Sequence, residues 1–264
     1  MQQGGKPASD WNPKAYLGFA AERAQPALDL IARLPNRAPR HISDLGCGPG
    51  NSTAMLMQAF PGADVAGFDS SPAMIAAARK AVPGALFMEA DVANWAPLPG
   101  TDLVFSNALF QWLGDRDNVM RRIFSALQGG ATLAVQMPDN LGEPSHRLMR
   151  DVAEQGPWRQ KLSGALTARQ PLLDEVGYYD LLQPLTQQFH VWRTTYVHAL
   201  DGPQAIIAML ATTGLKPFLE PLSEKEREAF LADYAARLAQ HYRPSHDGKV
   251  LLRFPRRFIL AVRA

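Results

Sequence analysis

The sequence has almost no cysteine: among 264 residues only Cys47 carries a thiol. A lone thiol excludes an internal disulfide and suits a reducing, cytoplasmic setting. It also excludes a Cys-pair metal site, and no His-x-x-x-His spacing exists, so no metal is expected. Long apolar runs are missing, which argues against a membrane-spanning helix, and the first residues lack the apolar stretch of a secretory leader. Charge of one sign is missing too: the formal net charge is +2, which offers nothing to nucleic acid or a membrane surface. There is no Gly-x-Ser-x-Gly elbow, no Gly-Lys-Ser/Thr phosphate loop, and no internal repeat.

What is present is unevenly placed. Residues 140–264 hold 16 Lys+Arg against 13 Asp+Glu and five of the six His, whereas residues 1–139 hold 11 against 12. A mildly basic second half suits an anionic ligand held there. Residues 1–10 read as a disordered tail, and 13–34 as a helix that Pro26 bends. Alternation follows. His41–Leu45, Ala63–Asp69, Ala85–Ala90, Asp102–Ser106 and Ala131–Met137 read as strands, and Ser52–Phe60, Pro72–Val82 and Asp117–Leu127 as helices. Strands alternating with helices predict a doubly wound α/β fold with a mostly parallel sheet. After Pro138 the rhythm breaks. Residues 143–183 and 203–242 read as helical, Phe189–Leu200 as a long strand, and Phe258–Val262 as the last strand. The extra helices are expected to form a cap over the carboxyl ends of the strands, where such folds bind ligands.

The most informative stretch is Asp44-Leu45-Gly46-Cys47-Gly48-Pro49-Gly50, which leaves a strand and opens a helix. Its glycines let backbone approach a ligand without Cβ interference, and the helix start presents free N–H groups. Asp69, followed by Ser70, ends the next strand, where an acid grips a ribose diol. Asp91, with Val92 beside it, ends the strand after that and faces an adenine edge. Pro49 crowds a pyrophosphate, and Asp44 repels phosphate while suiting a cationic amino-acid tail. These residues therefore fit an adenosine without phosphates. The competing reading is a plain tight turn with solvated acids.

Across residues 40–138 this pattern resembles the class I S-adenosylmethionine-dependent methyltransferases. Asp10-Trp11-Asn12-Pro13, the loop through Asn51-Ser52-Thr53, Asp69-Ser70-Ser71-Pro72-Ala73-Met74, Gln136-Met137-Pro138-Asp139-Asn140 and Trp192-Arg193-Thr194-Thr195-Tyr196 resemble the trans-aconitate 2-methyltransferase family from about Ser9 onward. The resemblance implies a seven-stranded Rossmann-like sheet, S-adenosylmethionine as cofactor, trans-aconitate as the small-molecule partner, and a cytoplasmic location. It divides the chain into a tail (1–10), a cofactor-binding core (11–142), a helical cap insertion (143–186), and a part completing the sheet (187–264) with a helical insertion at 203–248.

Within that fold, Asn107 and Trp112 leave the fourth strand beneath the reacting sulfonium and bound the transfer channel. The other reading is a turn residue and a core aromatic. Arg23, beside Glu22 on the first helix, pairs the cofactor's carboxylate or is a solvated charge. His146, Arg150, Tyr178, Tyr179, Arg193, Tyr196 and His198, from the cap and sixth strand, are the candidates for holding the acceptor. Each histidine has a purely structural reading as well. Arg193, the one Arg in its strand, is expected to clamp a non-reacting carboxylate, its alternative being an edge charge facing solvent. Arg253, Arg256 and Arg257 read as surface charge ahead of the last strand. No catalytic base is expected, because a carboxylate acceptor is already ionised at neutral pH. Three other functions stay open: methylation of another acid or a hydroxyl, nicotinamide-dependent dehydrogenation, and non-catalytic cofactor binding.

Overall fold

The elements follow the alternation of apolar runs and turn residues. A first helix, α1 (Ala20–Ala32), contains Pro26. It is followed by β1 (His41–Leu45), α2 (Asn51–Ala59), β2 (Asp64–Asp69), α3 (Pro72–Ala81), β3 (Leu86–Glu89), β4 (Leu103–Asn107), α4 (Arg116–Ser125) and β5 (Thr132–Pro138). Three helices come next, α5 (Pro144–Gln155), α6 (Ser163–Thr167) and α7 (Glu175–Leu182), and then β6 (Thr186–Leu200). The chain continues through α8 (Pro203–Ala211), α9 (Lys216–Leu219), α10 (Glu224–His241) and β7 (Val250–Arg263). The computed structural model describes residues 20–35, 38–211 and 213–264, with side chains from residue 24 onward. The readings that fall on residues 1–19 and on the Arg23 side chain lie outside the described residues.

The helix starts are set by local chemistry. Ser71 caps α3, its Oγ accepting from the Met74 N–H at 3.2 Å with Pro72 following at the first helical position, an arrangement that satisfies an otherwise orphaned donor. Ser223 and Glu226 form a reciprocal capping box on α10.

The seven strands form one sheet in the order β3-β2-β1-β4-β5-β7-β6. β1 to β5 are parallel, and β7 runs antiparallel to both β5 and β6. The strand order reverses between β1 and β4, and a doubly wound sheet opens its ligand crevice at such a switch point. The glycine loop after Leu45 and the end of β4 at Asn107 therefore lie side by side.

Each face of the sheet has its own apolar layer. Leu30, Ile42, Leu56, Phe105 and Phe258 pack on one face, and Phe68, Val104, Phe110, Phe124 and Ile259 on the other. A third cluster belongs to the cap. Met149 and Val152 of α5, Ile206 and Leu210 of α8, and Phe230, Tyr234 and Leu238 of α10 pack on Val250, Leu252 and Phe254 of β7. Burial of each large side chain contributes about 1.5–3 kcal/mol. The cap thus stands on the part of β7 that runs past the end of β5, whose pairing stops at Arg256.

The last two strands depart from their expected lengths, β6 beginning at Thr186 rather than Phe189. The last strand begins at Val250, not Phe258, and Arg256 and Arg257 are not surface charges: they are 5% and 6% exposed. Pro255 and three arginines break the apolar alternation that marks a strand. Beyond β5 the strand pairs only with β6, so a proline's missing N–H is tolerated there. Among the described residues, no helix is long and apolar enough to cross a membrane.

Candidate functional site

The glycine loop turns tightly. Gly46, Gly48 and Gly50 have φ of 70°, 54° and 94°, a region that L side chains rarely adopt. A Cβ on Gly46 would lie 2.7 Å from the Leu109 side chain, whereas one on Gly48 would enter open space. The Gly48 N–H donates to Asp69 Oδ2 at 3.0 Å, and the Ser71 N–H donates to Asp69 Oδ1 at 2.9 Å. Asp69 therefore ties the loop to the end of β2. Beneath the loop, fully buried Asp44 accepts from the Ser52 and Thr53 hydroxyls, each at 2.7 Å, and its Oδ1 has no partner among the described residues. Burial, partly offset by those two bonds, pushes the Asp44 carboxyl up to about 6. Burial first, then the charges of Asp44 and Asp69, push the Cys47 thiol far above its ordinary range, so it is not a nucleophile.

Gly46, Gly48, Asp69, Ser70, Asn107 and Trp112 line a cleft of about 440 Å³. Asp91 and Val92 do not line it. Asp91 is exposed and accepts from the Ala93 N–H at 2.9 Å and Asn94 Nδ2 at 3.3 Å. Val92 is buried with Phe68 and Trp95.

At Asn107, Ala108 and Trp112 this cleft adjoins a smaller cavity of about 80 Å³. Ala108 has φ 61°, a strained conformation that persists only where its surroundings enforce it. Here the Ala108 N–H donates to the Gln136 carbonyl at 2.9 Å, and Gln111 Nε2 donates to the Ala108 carbonyl at 2.6 Å. Asn107 Oδ1 and Gln111 Oε1 are buried without a partner among the described residues.

The far wall is cationic. Arg169 Nη2 donates to the Pro138 carbonyl at 3.1 Å and to Asn140 Oδ1 at 3.2 Å, and its guanidinium lies 5.5 Å from the centre of the Trp112 ring. Arg169 Nε and Asn140 Nδ2 are buried donors with no partner among the described residues. Arg256 lies over the Phe254 ring at 4.6 Å. Burial, then Arg116, lower the Arg169 guanidinium to about 10, so it keeps its charge at neutral pH. Burial, then Arg169 and Arg256, push His146 down to about 3, so its imidazole is neutral. Two guanidiniums beside a neutral histidine in one enclosed space match the carboxylates of an anion.

The other acceptor candidates sit elsewhere. Arg150 lines a neighbouring cleft with Asn140 and Arg169 and, with Trp112, His146 and Arg169, a pocket of about 20 Å³. Tyr178 is fully buried in the layer beneath α4, and burial raises its hydroxyl to about 12. Tyr179 is exposed and meets Phe189 edge to face at 5.6 Å. Arg193 is bound to Asp139 at 2.9 Å. The Tyr196 hydroxyl donates to Asp29 of α1, and His198 packs edge to face on Phe254 at 5.9 Å. Of the eight acceptor candidates, the fold brings Trp112 and His146 to the small cavity. It adds Ala108, Gln111, Asn140, Arg169 and Arg256. Asn140 closes the Gln-Met-Pro-Asp-Asn motif, the one signal that pointed here.

The comparisons with known proteins agree with this geometry. The family model described as a methyltransferase domain matches residues 42–130, the segment from β1 to the start of β5. A trans-aconitate 2-methyltransferase from Rhodopseudomonas palustris is 50% identical over 97% of this chain and all of its own length. One from Acidovorax ebreus is 48% identical over 97% of this chain and 99% of its own. Among solved structures, the YcgJ protein from Bacillus subtilis has a TM-score of 0.57 at 12% identity, covering 91% of this chain and 98% of its own. Haemonchus contortus phosphoethanolamine N-methyltransferase 2, solved with S-adenosylhomocysteine, has a TM-score of 0.53 at 17% identity, covering 90% of this chain and 52% of its own. At such low identity these two structures speak for the fold alone. The identity to the curated relatives spans nearly the whole of both chains, and the protein belongs to the trans-aconitate 2-methyltransferase family.

Proposed function

We propose that the protein transfers the methyl group of S-adenosylmethionine to a carboxylate of trans-aconitate, giving the monomethyl ester and S-adenosylhomocysteine. The observation that carries this reading is the pair of guanidiniums, Arg169 and Arg256, in a small cavity that adjoins the glycine-loop cleft. The cleft fits an adenosine without phosphates: Gly48 leaves room for an amino-acid tail, and Lys216, the one cation among the described residues lining the cleft, shares it with Asp69 and Glu220. Asp69 and Ser70, which line the cleft, are assigned to the ribose. Asp91 and Val92 are assigned to the adenine end, because they follow the strand whose Glu89 pairs in register with Asp69. In this reading residues 11–142 serve the cofactor, and the helices of 143–186 and 203–248 close the acceptor side.

When bound, S-adenosylmethionine supplies a methyl group made electrophilic by its sulfonium. Arg169, Arg256 and Asn140 Nδ2 hold the non-reacting carboxylates; a cation on the reacting oxygen itself would blunt its attack. Asn107 and Ala108 form the border at which the reacting oxygen is aimed. The acceptor carboxylate arrives ionised, so no residue has to take a proton from it. An anion meeting a cation loses charge as the bond forms, and the cap favours this by excluding water. Alignment alone is worth roughly 7–11 kcal/mol. Arg193 and Arg257 neutralise Asp139, at 2.9 and 3.2 Å, so that the cavity keeps its positive field.

A tritiated-methyl assay across a panel of tricarboxylates, dicarboxylates and alcohols tests the reading. Base-labile label in a trans-aconitate ester is the expected result, and label confined to a hydroxyl acceptor would overturn it.

The cofactor's cationic tail is expected to bind above Asp44, which makes binding pH-dependent. The carboxyl of the free protein holds its proton below about 6, whereas a cation nearby favours the ionised form, so a proton must leave on binding. Affinity is therefore full above that value and falls as pH drops through it, by about tenfold between pH 7 and pH 5. Calorimetry at both pH values checks this, and Asp44→Asn should flatten the dependence.

A further inference from the structure

We propose that the acceptor enters through a mouth of its own, separate from the glycine-loop cleft, and that Arg150 is the cation that captures it there. The inference rests on the polycarboxylate reading above. A cleft of about 380 Å³ adjoins the cavity, lined by Arg150 of α5, Gly142 and Gln170. Pro138, Asn140 and Arg169 line both this cleft and the inner cavity. The wall between the two spaces is therefore thin, and side chains form it.

The charges of this mouth are unbalanced. Asp139 also lines it, but Asp139 is neutralised from both sides by Arg193 and Arg257. Glu143 lies toward Arg253 and Arg193, at 3.8 and 4.0 Å. Arg150 makes no hydrogen bond and no ion pair among the described residues, and Arg169 binds only neutral oxygens. Two guanidiniums that make no ion pair among the described residues thus line one cleft whose single carboxylate, Asp139, is already shared by two other arginines, an arrangement that attracts a multiply charged anion.

The passage inward is latched. Arg169 holds the Pro138 carbonyl and Asn140 Oδ1, while its own Nε and Asn140 Nδ2 stay unsatisfied. An arriving carboxylate gives the Arg169 fork a charged acceptor in place of Asn140 Oδ1, so the swing inward exchanges a neutral bond for a stronger charge-assisted one. The glycine-loop cleft offers no comparable path, because the cofactor occupies it. Separate mouths let either ligand bind first.

Charge reversal at Arg150 is the direct test. Arg150→Glu is expected to lower kcat/KM for trans-aconitate about tenfold or more, as steering charges do. It should leave kcat at saturating acceptor within about twofold, leave the KM for S-adenosylmethionine unchanged, and flatten the dependence of kcat/KM on ionic strength. Gly142→Trp plugs the same mouth without altering charge. A Cβ at Gly142 meets nothing within 4 Å, so the side chain can be carried, and kcat/KM should fall with it. Stopped-flow uptake of trans-aconitate should be equally fast by free enzyme and by enzyme saturated with S-adenosylhomocysteine. If both variants keep wild-type kcat/KM and salt dependence, or if the loaded enzyme refuses the acceptor, the second mouth is wrong while the methyl-transfer reading stands. If the wild type methylates no polycarboxylate, the reading falls and the mouth with it.

Discussion

Replacing Gly48 by valine is expected to weaken S-adenosylmethionine binding more than a hundredfold. The residue has φ 54° and a Cβ direction that points into open space at the cleft. A β-branched side chain there occupies the room that an amino-acid tail needs. It also forces the loop out of a conformation costing a non-glycine residue about 1–3 kcal/mol, and the Gly48 N–H that anchors Asp69 moves with it. The hundredfold loss corresponds to about 2.7 kcal/mol. Calorimetry on folded protein gives the answer, with thermal melting alongside to show a lower but cooperative transition. Wild-type affinity in a folded Gly48→Val protein would reduce the loop to a turn.

The second large effect is expected at Arg169. Arg169→Gln should raise the KM for trans-aconitate by about 10- to 100-fold, the worth of a charge-assisted hydrogen bond of roughly 1.5–3 kcal/mol. Cofactor affinity should hardly change. Arg169→Lys should not restore the acceptor KM, because an ammonium lacks the planar fork. Stability discriminates between a functional and a structural role. Arg169 is enclosed, yet makes no ion pair among the described residues. Removing a partly buried cation that has no ion pair should leave the melting temperature unchanged or raise it, as happens where a residue is kept for function at the expense of stability. A drop in melting temperature with an unchanged KM would assign Arg169 to the scaffold.

The sheet was legible wherever periodicity is local. β1 to β5 and the helices between them fall within a residue or two of their apolar runs, because each run is bounded by glycine, proline or a capping side chain. The loop was legible for the same reason: glycines at fixed spacing and Asp69 at a strand end need no tertiary information. The acceptor side was harder to read. Alternation along β6 separates Arg193 from Trp192 and Tyr196, but it does not say which face meets the cavity. That is settled across the strand pair, where Thr194 opposes Arg256 and Arg193 opposes Arg257. Arg256 thus takes the cavity face, while Arg193 and Arg257 share Asp139. Arg169 comes from an irregular link between helices, which carries no periodicity to read. Asp91 also accepts from the Ala93 N–H and Asn94 Nδ2 of its own turn, a local pairing that alternation along a strand does not reveal.

The position of β7 governs when the enzyme can exist during its synthesis. It is made after every other described element, yet it lies between β5 and β6, supports the cap, and carries Arg256. From the end of β5 at Pro138 to the start of β7 at Val250, a ribosome working at about 5–20 residues per second takes roughly 6–22 s. Throughout that interval β5 is an uncovered parallel edge, and β6, once made, has no neighbour, which is the state most prone to pairing with another chain. The glycine loop, complete long before, can take shape meanwhile. A nascent chain should therefore acquire cofactor affinity well before it acquires any affinity for the acid, and slow translation between α5 and α10 should lengthen its dependence on chaperones.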